Sequence, residues 1–257
     1  MKLSSLLLWL LDTHLRPWSS LDIRDFILGL NMAYVEVEGG YCGVAVVPRS
    51  VNPSYCSIGV HPTPRLLARA ASQSLACSIL AIALVNALTS SWIHYTPWSV
   101  RPVLASSYLE RINSGDHVLL VGFMEKLAER LRSMNVLVSV LESSDDAKRL
   151  AERKGFKVLS GIESNATYDH VLASGTSIYD PERLRRLLSL APPSGVRAII
   201  GPTASFHPEL ARRLGANFLG GALIPRSLCE KVKTMVSLGY PVTIVKRYMV
   251  KWGTWIR

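Results

Sequence analysis

Acidic residues are scarce in this chain: 19 Asp and Glu stand against 29 Lys and Arg, a formal charge of +10 over 257 residues. That excess suits nucleic acid, an anionic lipid surface or an anionic ligand. The plainer reading is a basic protein with its Arg and Lys on outer helix faces, and the scatter of the basic residues fits it. Glutamine is rarer still, with Gln73 alone. Few glutamines and many arginines are a habit of proteins from hot environments, so a thermophilic source is expected. Cysteine is limited to Cys42, Cys56, Cys77 and Cys229, with no CxxC and no histidine at zinc-finger spacing. A zinc finger is thereby excluded. Buried reduced thiols are expected, and a hot habitat keeps disulfides open as the alternative.

Long apolar runs are missing too. The most apolar stretch, Leu75 to Leu88, contains Cys77, Ser78 and Asn86 and falls short of the roughly 20 residues of a spanning helix. Met1 to Leu11 has the outline of a signal peptide, with Lys2 before an apolar run. No small-residue cleavage site follows it, and Asp12, His14 and Arg16 come next, so a packed amphipathic helix is expected. A cytoplasmic protein without a membrane partner follows as the expectation. With 49% hydrophobic and 19% charged residues, the chain is not of disordered composition. Its length suits one large domain or two small ones.

Two rhythms divide what is present, and domains 1–107 and 108–257 are expected. In the first, Leu21, Phe26, Ile27 and Leu30 follow helical spacing. Met32 to Pro48 reads as a β-hairpin turning at Gly39-Gly40. Thr63-Pro64 opens a long buried helix to about Leu88, and Trp92 to Pro102 reads as a linker. From Gly115 strand and helix alternate. The apolar runs 117–122, 136–141, 157–159, 171–175, 196–201 and 217–223 read as parallel strands covered on both faces. Helices start at Ser144, Asp180-Pro181 and Pro208, and Ser227 with Glu230 forms a capping-box pattern for the last. The fold expected is a Rossmann-like doubly wound parallel sheet preceded by a smaller α+β domain.

Open sheets of this kind bind ligands beyond the carboxyl ends of their strands. Several strands here end in glycine or hydroxyl residues: Gly122, Ser174-Gly175-Thr176-Ser177, Gly201-Pro202-Thr203 and Gly220-Gly221. Glycine there admits a ligand to the backbone or permits a tight turn. Glu142 closes the second strand, where a carboxylate binds a ribose diol, or is simply a solvated acid or a helix-capping charge. GxGxxG is absent, which disfavours a dinucleotide pyrophosphate and leaves a nucleoside-like or small polar ligand. His207, just before Pro208, is a candidate acid or base, or else a surface histidine near a helix cap, which is the reading slightly favoured. Asn86 would add a polar group from the long helix. The candidate pocket is thus Asn86, Gly122, Glu142, Gly175, Thr176, Ser177, Gly201, Pro202, Thr203, His207 and Gly221. No cofactor and no metal ligand set can be named from the spacing. The tail mixes Lys246, Arg247, Lys251 and Arg257 with Tyr248, Trp252 and Trp255. That suits either single-stranded nucleic acid or a terminal strand packed on the body.

Taken in order, Val118–Gly122, Val138–Glu142, Asp169–Ser177, Gly201–Pro208 and Leu219–Gly221 resemble the "putative heavy-metal chelation" family over residues 115–239. Ala33–Val37 and Gly43–Ala45 resemble the hairpin of its companion domain, and Ala83–Ala87 its long helix. The resemblance implies a front domain like the small domain before the barrel in enolases, a Rossmann-like second domain, a ligand cleft between them, and a homodimer. It implies no established reaction. Three readings follow: a small-molecule-binding protein or enzyme acting on a metal-chelating or heterocyclic metabolite, a direct heavy-metal binder, or a nucleic-acid binder through the tail.

Overall fold

Leu3, Leu6, Leu7, Leu10 and Leu11 recur at helical spacing and are all buried in α1 (Leu3–Thr13), as the sequence predicts. The computed structural model describes residues 2–48, 56–59, 61–96, 103–162 and 166–256. A three-stranded antiparallel sheet follows α1, built from β1 (Ile23–Leu28), β2 (Met32–Val37) and β3 (Tyr41–Val46) in that order. The β2–β3 hairpin turns at Gly39-Gly40, both at positive φ.

The expected helix at Leu21–Leu30 is instead the edge strand β1. Phe26 pairs with Val35 and Leu28 with Ala33, and Gly29 N–H closes the turn on Met32 O at 3.0 Å. Phe26 and Leu28 join one core and Ile27 another. Pairing with β2 thus outweighs a local pattern that also fits a helix.

The long helix is two. α2 (Pro64–Ala70) starts on the Thr63 cap, and α3 (Leu75–Tyr95) starts afresh where Ser74 accepts a hydrogen bond from Cys77 N–H. α3 also runs past Leu88, so Trp92–Tyr95 are helical and not linker; residues 97–102 lie outside the described residues. α3 is long and apolar enough to cross a membrane, but 94% of its most apolar window is buried inside the protein. It crosses β3 at Gly43, where a Cβ would stand 2.3 Å from both Ala83 O and Ala87 N.

The second sheet has seven strands: β4 (His117–Val121), β5 (Leu137–Leu141), β6 (Lys157–Leu159), β7 (His170–Ser174), β8 (Arg197–Ile200), β9 (Phe218–Leu223) and β10 (Val250–Trp255). Their order is β10-β9-β8-β7-β4-β5-β6, parallel throughout except for β10. The chain begins in the middle at β4, winds out through β5 and β6, then returns to the other side at β7. That reversal makes the β4–β7 pair the topological switch point. The helices are α4 (Glu125–Ser133), α5 (Asp145–Arg153), α6 (Pro181–Leu188), α7 (Pro208–Arg213), α8 (Cys229–Ser237) and α9 (Val242–Val245).

Leu119, Val121, Val171, Ala173 and Leu219 share one core with α1, α3, α6 and α7. Val118, Leu120, Leu172 and Ala198 pack on the other face with α4 and Ala151 of α5. The sheet is therefore buried on both sides. The capping box at Ser227 and Glu230 does not form. A 3-10 turn, Arg226–Leu228, occupies that stretch, and α8 starts from Leu228 without a side-chain cap. The tail is the antiparallel edge strand β10, with Trp252 buried and the Arg111 guanidinium 3.8 Å from the Trp255 ring centroid.

All four cysteines are oxidised, against the expectation of reduced thiols. Cys42 of β3 bonds Cys229 at the start of α8, and Cys56 bonds Cys77 of α3. Sequence separations of 187 and 21 carry no signal of either pairing. Chain folding brings the Cα atoms to 6.0 and 5.0 Å, within disulfide reach. Gly43→Ala is expected to destabilise the protein by about 1–3 kcal/mol or more, because backbone on both sides must yield to the methyl group. Chemical denaturation of the variant measures it.

Candidate functional site

Gly122 ends β4 at φ 87° and sits at the switch point. A Cβ there would lie 2.7 Å from the Ser174 hydroxyl, which terminates β7 next door. Ser174 Oγ is 2.8 Å from Thr176 Oγ1. The carboxyl ends of the two central strands thus present bare backbone on one side and paired hydroxyls on the other. A hydroxyl both donates and accepts, so the pair can meet a polar group of either kind.

Glu142 faces the same rim but is already engaged. One carboxylate oxygen accepts from Phe123 N–H at 2.7 Å. The other accepts from Ser143 N–H at 2.7 Å and Ser144 N–H at 2.9 Å. The acid ties the β4–α4 loop to the start of α5, which is the capping role among those weighed for it. Ser144 itself makes no side-chain cap.

The next group joins the two sheets. β3 is an edge strand whose outward-facing groups belong to Val44 and Val46, since Val47 N–H bonds inward to Asn31 O. Val46 N–H donates to Thr203 Oγ1 at 3.0 Å, and Val46 O accepts from the Tyr179 hydroxyl at 2.8 Å. Asn86 Nδ2 donates to Val44 O at 2.7 Å and to Thr203 O at 3.1 Å. Burial pushes the Tyr179 phenol well above its ordinary pKa, so it stays a donor. Asn86 is itself 1% exposed, and its Oδ1 has no hydrogen-bond partner among the described residues.

Gly175 and Gly201 let these loops close. A Cβ on Gly175 would meet Ala204 N at 2.6 Å, and Gly201 turns at φ 120° before Pro202 opens a 3-10 turn. Ser177 stays within the 3-10 turn Gly175–Tyr179, and its carbonyl accepts from Asp180 N–H.

Two candidates lie elsewhere. Gly221 is inside β9, with Ala204 O and Trp252 Nε1 both within 2.8 Å of where a Cβ would be. It serves close packing of sheet on loop. His207 is 5% exposed, with its ring centroid 4.1 Å from that of Trp92 and 5.3 Å from that of His14, tilted against both. Its Nδ1 accepts from Glu209 N–H at 3.2 Å, capping α7. It is a capping histidine, buried and not on the surface. Burial, with His14 adding to it, pushes its pKa down to about 3, so the ring is neutral.

The structure therefore gathers Gly122, Thr176 and the backbone next to Glu142 around the switch point. Gly175, Gly201, Thr203 and Asn86 form the adjoining seam. Ser174 lies outside the expected pocket set, although its place directly before Gly175 marks it. Tyr179 carries no sequence signal, because only the fold brings it to Val46. The residues present do not fit a protein-held heavy metal: among the described residues no three His, Cys, Asp or Glu converge, and every cysteine is in a disulfide.

A doubly wound sheet whose switch-point rim abuts a three-stranded antiparallel layer defines a two-part Rossmann-like protein. The chain belongs to the DUF364 family, described as "Putative heavy-metal chelation", whose model matches residues 105–253. A second model with that description, DUF4213, matches residues 12–89. The resemblance read from the strand ends is the family found.

A solved DUF364 protein of unknown function from Pyrococcus horikoshii shares 19% identity with a TM-score of 0.73. The alignment covers 98% of this chain and 100% of that one. Another, from Desulfitobacterium hafniense DCB-2, shares 18% identity with a TM-score of 0.75, covering 97% and 98%. Both show the fold. No curated protein matches the chain.

Thr203→Val should cost about 1–3 kcal/mol in denaturant unfolding, since it strips the partner from a buried Val46 N–H. At His207 the unfolded state takes up a proton near pH 6.5 and the folded state only near pH 3. Acidification through that window favours unfolding, at a slope of about 1.4 kcal/mol per pH unit from this residue. His207→Asn keeps a capping acceptor and should flatten that part of the stability–pH curve, measured by urea unfolding at successive pH values.

Proposed function

We propose that this protein binds a small polar molecule in the crevice at the carboxyl ends of β4 and β7, between domains 1–107 and 108–257. The carrying observation is the switch-point arrangement: Gly122 at positive φ opposite the Ser174–Thr176 hydroxyl pair. Crevices at such points are where open α/β sheets take ligands. The absence of GxGxxG, with Phe123 N–H already given to Glu142, argues against a dinucleotide held by its pyrophosphate. A heterocyclic or nucleoside-like metabolite, or a metal already wrapped in a small chelator, suits the hydroxyls better.

The family's description fits a chelated metal carried as ligand more easily than one held by side chains. The same reading makes the protein a cytoplasmic homodimer, with neither membrane nor nucleic acid as partner.

A thermal-shift screen over nucleosides, cofactors and metal chelates tests it. At least one compound should bind saturably, and Thr176→Val or Ser174→Ala should weaken it by about tenfold, or about 1.4 kcal/mol. Hits that bind equally well to both variants and to Glu142→Ala would show that the crevice is not the site. Stoichiometric metal in the purified, tag-free protein without any chelator would overturn the ligand-borne reading.

A further inference from the structure

β1 ends the small sheet on the side away from β3, and among the described residues no strand lies beside its outer edge. Gly29 N–H donates to Met32 O, so the main chain of residue 29 faces β2. By the alternation of an antiparallel ladder, Ile27 and Asp25 face β2 as well, and Phe26 and Leu28 face outward. The first half of this edge is guarded. Phe26 N–H is taken at 2.8 Å by Asp25 Oδ1, and the register shifts between Ile23 and Asp25. A bulge and a charged side chain are devices that blunt an open edge. The second half has neither. Among the described residues no hydrogen bond engages Leu28 N–H, Leu28 O or Phe26 O.

The unguarded half ends in apolar surface. Leu30 is 79% exposed, Leu238 69% and Tyr240 42%. The three lie together. Leu30 is 3.6 Å from where a Cβ would stand on Gly239, between the other two, and Asn31 Nδ2 donates to Gly239 O at 2.8 Å. Single exposed apolar residues are ordinary, whereas a cluster beside an open edge marks a contact surface. Residues 26–35 and 234–245 hold no Lys, Arg, Asp or Glu. The whole chain carries +10, so two copies repel each other unless they meet through a charge-free surface such as this one. β6, at the end of the large sheet, is also an edge strand, but it begins with Lys157 just after Arg153 and Lys154.

We propose that a second copy of the chain occupies the β1 edge, its own β1 pairing antiparallel about a two-fold axis at Leu28, with Leu30, Leu238 and Tyr240 of both copies packed around the pair. A residue on such an axis gives its N–H to the other copy's carbonyl and receives the same in return. Those are the two groups that Leu28 leaves free. The Leu30 turn of each copy then lies beside Phe26 of the other, whose carbonyl is the third free group. An edge that stops at the turn after Leu28 is too short to hold an extended peptide by main-chain bonds alone, whereas a two-fold axis makes every contact twice. The joined sheet runs β3-β2-β1-β1-β2-β3. Both β3 edges, and the seams they form with the large sheets, stay at its ends. This dimer does not depend on the crevice and stands even if no ligand is found there.

The test is the oligomeric state of the full-length protein by sedimentation equilibrium, with hydrogen exchange of residues 26–30 followed through a dilution series. A dimer is expected, and exchange at Leu28 should quicken as dilution dissociates it. Leu30→Lys and Leu238→Lys, both at exposed positions, should each raise the dimer dissociation constant at least about tenfold, with an unchanged circular dichroism spectrum. Leu137→Lys, at a site on β5 that is 62% exposed, should leave the dimer intact.

A monomer at every concentration overturns the proposal, and so does a dimer as tight in both variants as in the wild type. A dimer loosened by Leu137→Lys and not by Leu30→Lys would place the interface elsewhere. A monomer whose Leu28 amide is protected only when an extended apolar peptide is added would give the edge to another partner and overturn the second copy.

Discussion

The outer edge of β3 is the constraint on which the arrangement depends. An open strand edge exposes a row of unpaired amides and carbonyls, and once buried each lost partner costs about 1–3 kcal/mol. Here the edge is closed by side chains and not by a fourth strand. Thr203 and Tyr179 reach Val46 from the loops after β8 and β7, and Asn86 spans Val44 and Thr203 from α3. Those loops are the rim of the second sheet. The hydrogen bonds that complete the small sheet therefore set where it sits over the large one.

Glycine does two kinds of work around that seam. Gly122 and Gly201 have positive φ, so they turn the chain sharply away from the strand ends. Gly43 and Gly175 instead let backbones meet, α3 on β3 in one case and the β7 loop on the β8 loop in the other. The first kind redirects the chain and the second lets the surrounding layers pack closely. A strand-end glycine is thus no sign of a ligand by itself, and Gly221, closed against Ala204 and Trp252, shows it.

Much of the second sheet was legible because its signals are local. Continuous apolar runs such as Val118–Val121, a proline after a capping residue at Asp180-Pro181, and Gly155 at positive φ each report on their own neighbourhood. The front part was harder. Leu21, Phe26, Ile27 and Leu30 satisfy a helical period, yet β2 supplies pairing that no local pattern reveals. The break between α2 and α3 hides in an apolar stretch, and only Ser74 marks it. At the site, glycines and hydroxyls could be read as a set, whereas their division between crevice and seam could not. That division depends on which loop faces β3, a matter of tertiary contact. His207 shows the same limit: its place before Pro208 predicts a cap, but Trp92 and His14 come to it from far along the chain.

The Cys42–Cys229 bond changes what counts as one molecule. It joins the small sheet to α8 and closes a covalent ring through 187 residues of separation, which holds α3 and every parallel strand of the large sheet. α1, β1 and β2 hang from one side of that ring, and most of α8, with α9 and β10, from the other. A single backbone cut anywhere inside the ring leaves both pieces tethered, parting only when a reductant opens the link. By the chain-entropy account, a ring of this size restricts the unfolded chain by on the order of 5 kcal/mol. The two parts thus share one fate in the oxidised protein: they melt, refold and survive a nick together, and the redox history of a preparation decides whether they behave as a ring or as a line.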